Sequence, residues 1–79
     1  MTKEKIRQFV TTNFYVADPA ALQDGESLLD SGIVDSTGVL EVIGFLEETF
    51  GIKVEDREML PENLDSIERI AAFVTRKKG

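Results

Sequence analysis

The run "STGVLEVIGFLEETF", Ser36 to Phe50, constrains the fold more than any other part of the sequence. Val39, Val42, Ile43, Leu46 and Phe50 recur at three- and four-residue intervals, the period of one helical face. Glu41, Glu47 and Glu48 fall on the opposite, solvated side. Gly51 follows where a left-handed cap would end the helix. A helix with so wide an apolar stripe has to be covered by other elements, and the rest of the chain offers helices to cover it.

Ile6, Phe9, Val10 and Phe14 share a face in a helix predicted over Thr2 to Phe14, with Thr2 as its cap. Asp18-Pro19 stops that helix. A long connection runs to Val34, punctuated by Pro19, Gly25 and Gly32 and anchored by Leu22, Leu28, Leu29 and Ile33. After Gly51, Ile52-Lys53-Val54 is short and alternating. The turn "EDRE" next to it is a candidate brief third helix, closed by Pro61. Asp65 with Glu68 forms a capping box for a last helix whose face is Ile67, Ile70, Ala71 and Val74, joined by Phe73. Arg76-Lys77-Lys78 complement its C-terminal dipole. The expected fold is all-α: a four-helix bundle with a long loop between helices 1 and 2 and a short third helix, in a single domain over residues 1–79. The stripe of Val39, Ile43, Leu46 and Phe50 would face Phe9, Leu28, Ile67 and Ile70, leaving at most a small cavity along that seam.

A chain of 79 residues builds one modest core, with little stability to spare for elaborate sites. It has no cysteine and no histidine, which excludes a disulfide framework, Ser-His-Asp or Cys-His catalysis and the usual zinc ligands. An independent enzyme of hydrolytic design and a resident metal are therefore not expected. A calcium loop starting at Asp30 fails, because Gly32 and Val34 occupy liganding positions and Asp35 stands where glycine is required. The net charge of −6 opposes binding to nucleic acid or anionic membranes and favours partners with basic patches. "MTKEKIRQFV" lacks a signal-peptide core and no apolar run reaches spanning length, so a cytoplasmic monomer without membrane insertion is expected.

The pair Asp35-Ser36 stands out, because an N-cap needs only one such residue. The other hydroxyl would lie at the positive end of the helix dipole, where a phosphate ester is electrostatically favoured. Asp35 beside it could help hold a divalent cation during phosphoryl transfer. The plain alternative is a helical interaction module in which Ser36 is only a cap or a kinase target.

"GIVDSTGVLEVIGFLEETFGIKVEDREMLPENLDSIERIAAFV" resembles the acyl carrier protein family over nearly the whole chain. The shared elements are Asp35-Ser36, the helix ending Leu46-Glu47-Glu48-Thr49-Phe50-Gly51-Ile52, then Glu55-Asp56, Pro61-Glu62-Asn63-Leu64 and Asp65-Ser66-Ile67. The resemblance implies covalent 4′-phosphopantetheine, derived from coenzyme A, on Ser36 with Asp35 as the neighbouring acidic residue. It also implies acyl transport as thioesters in fatty acid or specialised metabolism. The implied partners are a phosphopantetheinyl transferase and acyl- or aminoacyl-activating and transferring enzymes, docking on Thr37, Leu40, Glu41, Gly44 and Glu48. Members serving fatty acid synthesis usually carry leucine where Thr37 stands and a bulky apolar residue where Gly44 stands. The differences at both places imply a specialised carrier, and a stand-alone aminoacyl or peptidyl carrier is the alternative.

Overall fold

The computed structural model describes residues 2–78. Among them are four α-helices and no strand: α1 (Thr2–Asn13), α2 (Ser36–Phe50), α3 (Pro61–Leu64) and α4 (Ile67–Lys78). The expected architecture is the observed one.

Helix α4 is the centre of the assembly, with α1, α2 and α3 all packed against it. Its Ile67, Ile70 and Val74 are fully buried, and Phe73 nearly so. Ile6 and Val10 meet them from α1, and Val42, Ile43 and Leu46 from α2. Removing each such side chain from water contributes about 2 kcal/mol, so the stripe on α2 alone accounts for several kcal/mol of gross driving force. Leu22, Leu28 and Val34 of the long connection are buried in the same cluster. Phe45, outside the expected stripe, stacks on Phe9 of α1 with ring centroids 4.1 Å apart and meets Phe50 edge-on at 6.0 Å. That aromatic contact joins α1 to α2 along their outer edge.

Several local expectations are corrected. Thr2 is the first helical residue of α1 and not its cap, and α1 ends at Asn13, one residue early. Phe14 leaves the helix, and its ring crosses to Gly38 of α2. The Leu29 side chain is 37% exposed and lies outside the core, whereas those of Leu22 and Leu28 are buried in it. Val39 is only half-buried. Glu47 is not simply solvated: its carboxylate turns back to accept the N–H of Val54 at 2.9 Å, which pins the segment leaving α2. The turn at Glu55–Glu58 is a three-residue 3-10 turn (Asp56–Glu58) with its own capping box. Pro61 does not close a helix but opens α3, because its fixed φ and missing N–H suit a first helical position. Arg76 and Lys77 are engaged sideways, with Asn63 at 2.8 Å and Glu58 at 2.9 Å, in addition to lying near the α4 terminus.

Candidate functional site

Two polar pairs precede helices in this chain, and in each one residue caps while the other is left over. At Asp35-Ser36 the aspartate caps. Its backbone is extended (φ −102°, ψ −177°) and its Oδ1 accepts the N–H of Gly38 at 2.7 Å. Ser36 is then the first residue of α2, exposed, and its hydroxyl takes no hydrogen bond from or to the described residues. At Asp65-Ser66 the roles are reversed. Ser66 Oγ accepts the N–H of Arg69 at 3.0 Å and caps α4. The expected capping box between Asp65 and Glu68 does not form, because the Asp65 carboxylate is used elsewhere.

Asp65 holds the platform on which Ser36 sits. Its Oδ2 accepts from Ser27 Oγ at 2.6 Å and its Oδ1 from the Leu29 N–H at 2.9 Å, while its carbonyl accepts from the Leu28 N–H at 2.7 Å. Ser27 Oγ in turn accepts the N–H of Asp30. These bonds fasten the end of the long connection to the α3–α4 junction. Gly32, with φ +77°, makes the turn that lets Val34 bury itself under α2, its N–H donating to the Leu28 carbonyl at 3.1 Å. The chain therefore enters α2 on a fixed track. Sequence reasoning missed Asp65 in this role because Asp-x-x-Glu is a strong capping signal and the partner residues lie 36 and 38 positions away.

On one side of Ser36 an apolar groove of about 230 Å³ opens, lined by Leu29, Ser36, Val39, Met59, Leu60, Pro61 and Leu64. This explains the half-buried Val39 and the exposed Leu29: both are groove walls. The seam deeper in the bundle is close-packed, with Leu46, Ile67 and Ile70 wholly buried. On the outer face of α2, Thr37, Leu40, Glu41, Gly44 and Glu48 are all exposed, Leu40 to 62%. No lysine or arginine occurs between Arg7 and Lys53. Among the described residues the ion pairs are those of Asp24 with Lys3 and Arg7, Glu55 with Arg57 and Glu58 with Lys77. The carboxylates of α2 have none, so negative potential collects on the face that starts at Ser36.

A serine with a spare hydroxyl, at a helix N-terminus, beside an apolar groove and an acidic face suits a covalent phosphate-linked arm. The fit is good: the dipole favours the phosphodiester, and the groove can take the apolar part of the arm and its cargo. The family profile described as "Phosphopantetheine attachment site" matches residues 4–74. The chain is 24% identical to the probable acyl carrier protein PigG of Serratia sp. over 79 residues, covering 100% of this chain and 91% of that protein. It is 35% identical over 71 residues to the acyl carrier protein of Campylobacter hominis, covering 90% and 86%. Over 60 residues it is 36% identical to the D-alanyl carrier protein of Streptococcus pyogenes, covering 76% and 75%. The chain belongs to the acyl carrier protein family, whose phosphopantetheine-binding domain carries 4′-phosphopantetheine covalently.

Proposed function

We propose that Ser36 bears the 4′-phosphopantetheine arm and that the chain carries a short acyl group on it in a specialised biosynthetic pathway. When bound, the arm supplies the thiol for a thioester, which this cysteine-free chain cannot provide itself. The observation that carries the reading is the free, exposed hydroxyl of Ser36 after Asp35 has taken the capping role. Asp35 fixes the first turn of α2, so the serine is held at the dipole's positive end with no competing partner. Its own carboxylate edge is available to a cation during transfer.

The groove supports a short cargo. The groove, about 230 Å³ and open to solvent, shelters what lies nearest Ser36. A longer chain would have to part helices whose side chains are fully buried, at a cost typical of overpacking a core. Tethering gives a high effective concentration at a partner's active site, so binding between the proteins can stay weak and rapid. The chain acts as a carrier and not as a catalyst. Its partners are a phosphopantetheinyl transferase and activating or transferring enzymes with basic patches that meet Thr37, Leu40, Glu41, Gly44 and Glu48. No described helix is long and apolar enough to cross a membrane, which fits work in the cytoplasm.

A second reading, an aminoacyl carrier, is favoured by the likeness to D-alanyl carrier proteins. Intact-mass measurement of the protein from its native host decides between them. The proposal expects the arm plus a short acyl increment. An aminoacyl increment selects the second reading, and a protein bearing phosphate alone overturns both.

A further inference from the structure

The groove beside Ser36 is walled by three separate pieces of chain. Leu29 comes from the long connection, Val39 from α2, and Met59, Leu60 and Leu64 from the segment that leads into α3 and forms it. How far the groove opens depends on how these pieces are tied to one another.

The ties are unequal. Among the described residues no hydrogen bond runs from residues 59–64 to α2, so that side of the groove is held by packing. Dispersion weakens gradually as apolar surfaces part, and such a wall can give. Between α3 and the connection a single residue supplies three bonds. Asp65, next in the chain to Leu64, accepts the Leu29 N–H at 2.9 Å and the Ser27 hydroxyl at 2.6 Å on its carboxylate, and the Leu28 N–H at 2.7 Å on its carbonyl. The Ser27 bond has the length of a charge-assisted O–H···O⁻ bond, about twice as strong as a neutral one. Hydrogen bonds also tolerate little change of distance or angle. Leu29 is itself a wall, so Asp65 fastens one side of the groove to the other.

We propose that Asp65 is the specificity-determining residue of this carrier: by clipping Leu29 to the α3–α4 junction it limits how far the groove opens, so that a short acyl group is sheltered and a longer one stays in solvent. Asp65 does not line the groove and acts through Leu29 and Leu64, as a positioning residue. This rests on Ser36 bearing the arm and on the groove sheltering its cargo.

The experiment loads the full chain with butanoyl or octanoyl pantetheine from the corresponding acyl-coenzyme A and measures the lifetime of each thioester in hydroxylamine, with melting temperature alongside. The readout is the ratio of octanoyl to butanoyl lifetimes, which a general loss of stability does not move. Asp65→Ala should raise that ratio at least threefold over wild type. Asp65→Asn keeps an acceptor for Leu29 and a polar partner for Ser27, and should keep the wild-type ratio. Ser27→Ala removes one bond of the clip, should raise the ratio less, and carries the test if Asp65→Ala does not fold. Val10→Ala, which loosens the core away from the groove, should lower the melting temperature and leave the ratio alone. A wild-type ratio in Asp65→Ala, or in Ser27→Ala should the first not fold, would overturn the proposal, as would an equal rise in Val10→Ala. Wild-type thioesters no longer-lived than those of free pantetheine at either length would overturn the groove as a shelter and the clip with it, while leaving Ser36 assigned.

Discussion

Replacing Gly38 by alanine should destabilise the chain, against the intrinsic preference of helices for alanine. Propensity alone predicts a gain of about 1 kcal/mol. The structure opposes that gain from three directions. The new methyl would sit 2.8 Å from Phe14 Cε1, 3.2 Å from Val34 Cγ1 and 3.3 Å from Asp35 Oδ1. Carbon atoms prefer about 3.5–4.0 Å, so the ring must move by several tenths of an ångström at least. It is not free to do so, because Phe14 meets Phe9 edge-on with centroids 6.0 Å apart, and Val34 is buried. Overpacking of this kind costs about 1–3 kcal/mol. Displacing Asp35 Oδ1 also weakens the bond to Gly38 that caps α2, worth about 1 kcal/mol. The net expectation is a loss of about 1–2 kcal/mol. At about 4–8 °C per kcal/mol for a domain of this size, the melting temperature should fall by roughly 5–15 °C. Thermal unfolding followed by circular dichroism measures it. Adding Phe14→Leu should recover part of the loss, so that the double variant is less destabilised than the two single effects summed. A Gly38→Ala chain as stable as wild type would mean that the Phe14 ring yields at no cost and that Gly38 is not required by packing.

Asp65→Ala removes two hydrogen-bond acceptors from the loop platform and should cost about 2–3 kcal/mol, with faster amide exchange at Leu29. A loss no larger than that of Ser66→Ala, with Leu29 protection unchanged, would reduce Asp65 to an ordinary helix-end residue. Acid should destabilise the fold in a defined window. The Arg7 guanidinium bond holds the Asp24 carboxyl below its ordinary 3.8, and the Glu55 N–H together with Lys77 holds Glu58 below its ordinary 4.5. Carboxyls whose folded pKa is depressed stabilise the fold above their unfolded values, and that contribution is lost as pH falls through the folded ones. Stability should therefore decline below about pH 4.5, and Asp24→Asn with Glu58→Gln should flatten the decline; an unaltered profile would exclude these pairs as its source. Charge reversal at Glu41 and Glu48 should slow arm transfer tenfold or more, blunted by added salt, while reversal at Glu4 and Glu26 should matter little. Equal effects at the two pairs of sites would leave only a generic response to net charge.

The helices were legible because their period is carried by many residues at once. The α2 stripe, the left-handed Gly51 and the buried face of α4 each rest on local patterns that tertiary context reinforces. What the sequence could not convey was which of two competent polar residues takes a local bond. Asp35-Ser36 and Asp65-Ser66 read alike, yet the aspartate caps in one and the serine in the other. The difference comes from a distant partner: Ser27 and Leu29 draw the Asp65 carboxylate across the molecule, and nothing draws Asp35 away. The same blindness made Glu47 look solvated, when its acceptor role depends on where Val54 passes. Leu29 departs from expectation for another reason. It is apolar and at an anchoring position, and only the placement of α3 turns it into a groove wall; Val39 packs against the core as its helical position implies and lends its free edge to the same groove. Gly38 and Gly44 are identical in sequence terms and opposite in structure, one crowded by Phe14 and the other open.

Attachment of the arm to Ser36 can be read from the mass of the intact chain. Wild-type and Ser36→Ala chains are incubated with coenzyme A and a phosphopantetheinyl transferase, then weighed intact and mapped by peptide mass spectrometry. Wild type should gain a single phosphopantetheine on the peptide containing Ser36, and Ser36→Ala should gain none while keeping the same circular dichroism and melting profile. An arm found on Ser31 or Ser66, or a Ser36→Ala chain that is still modified, would contradict the assignment.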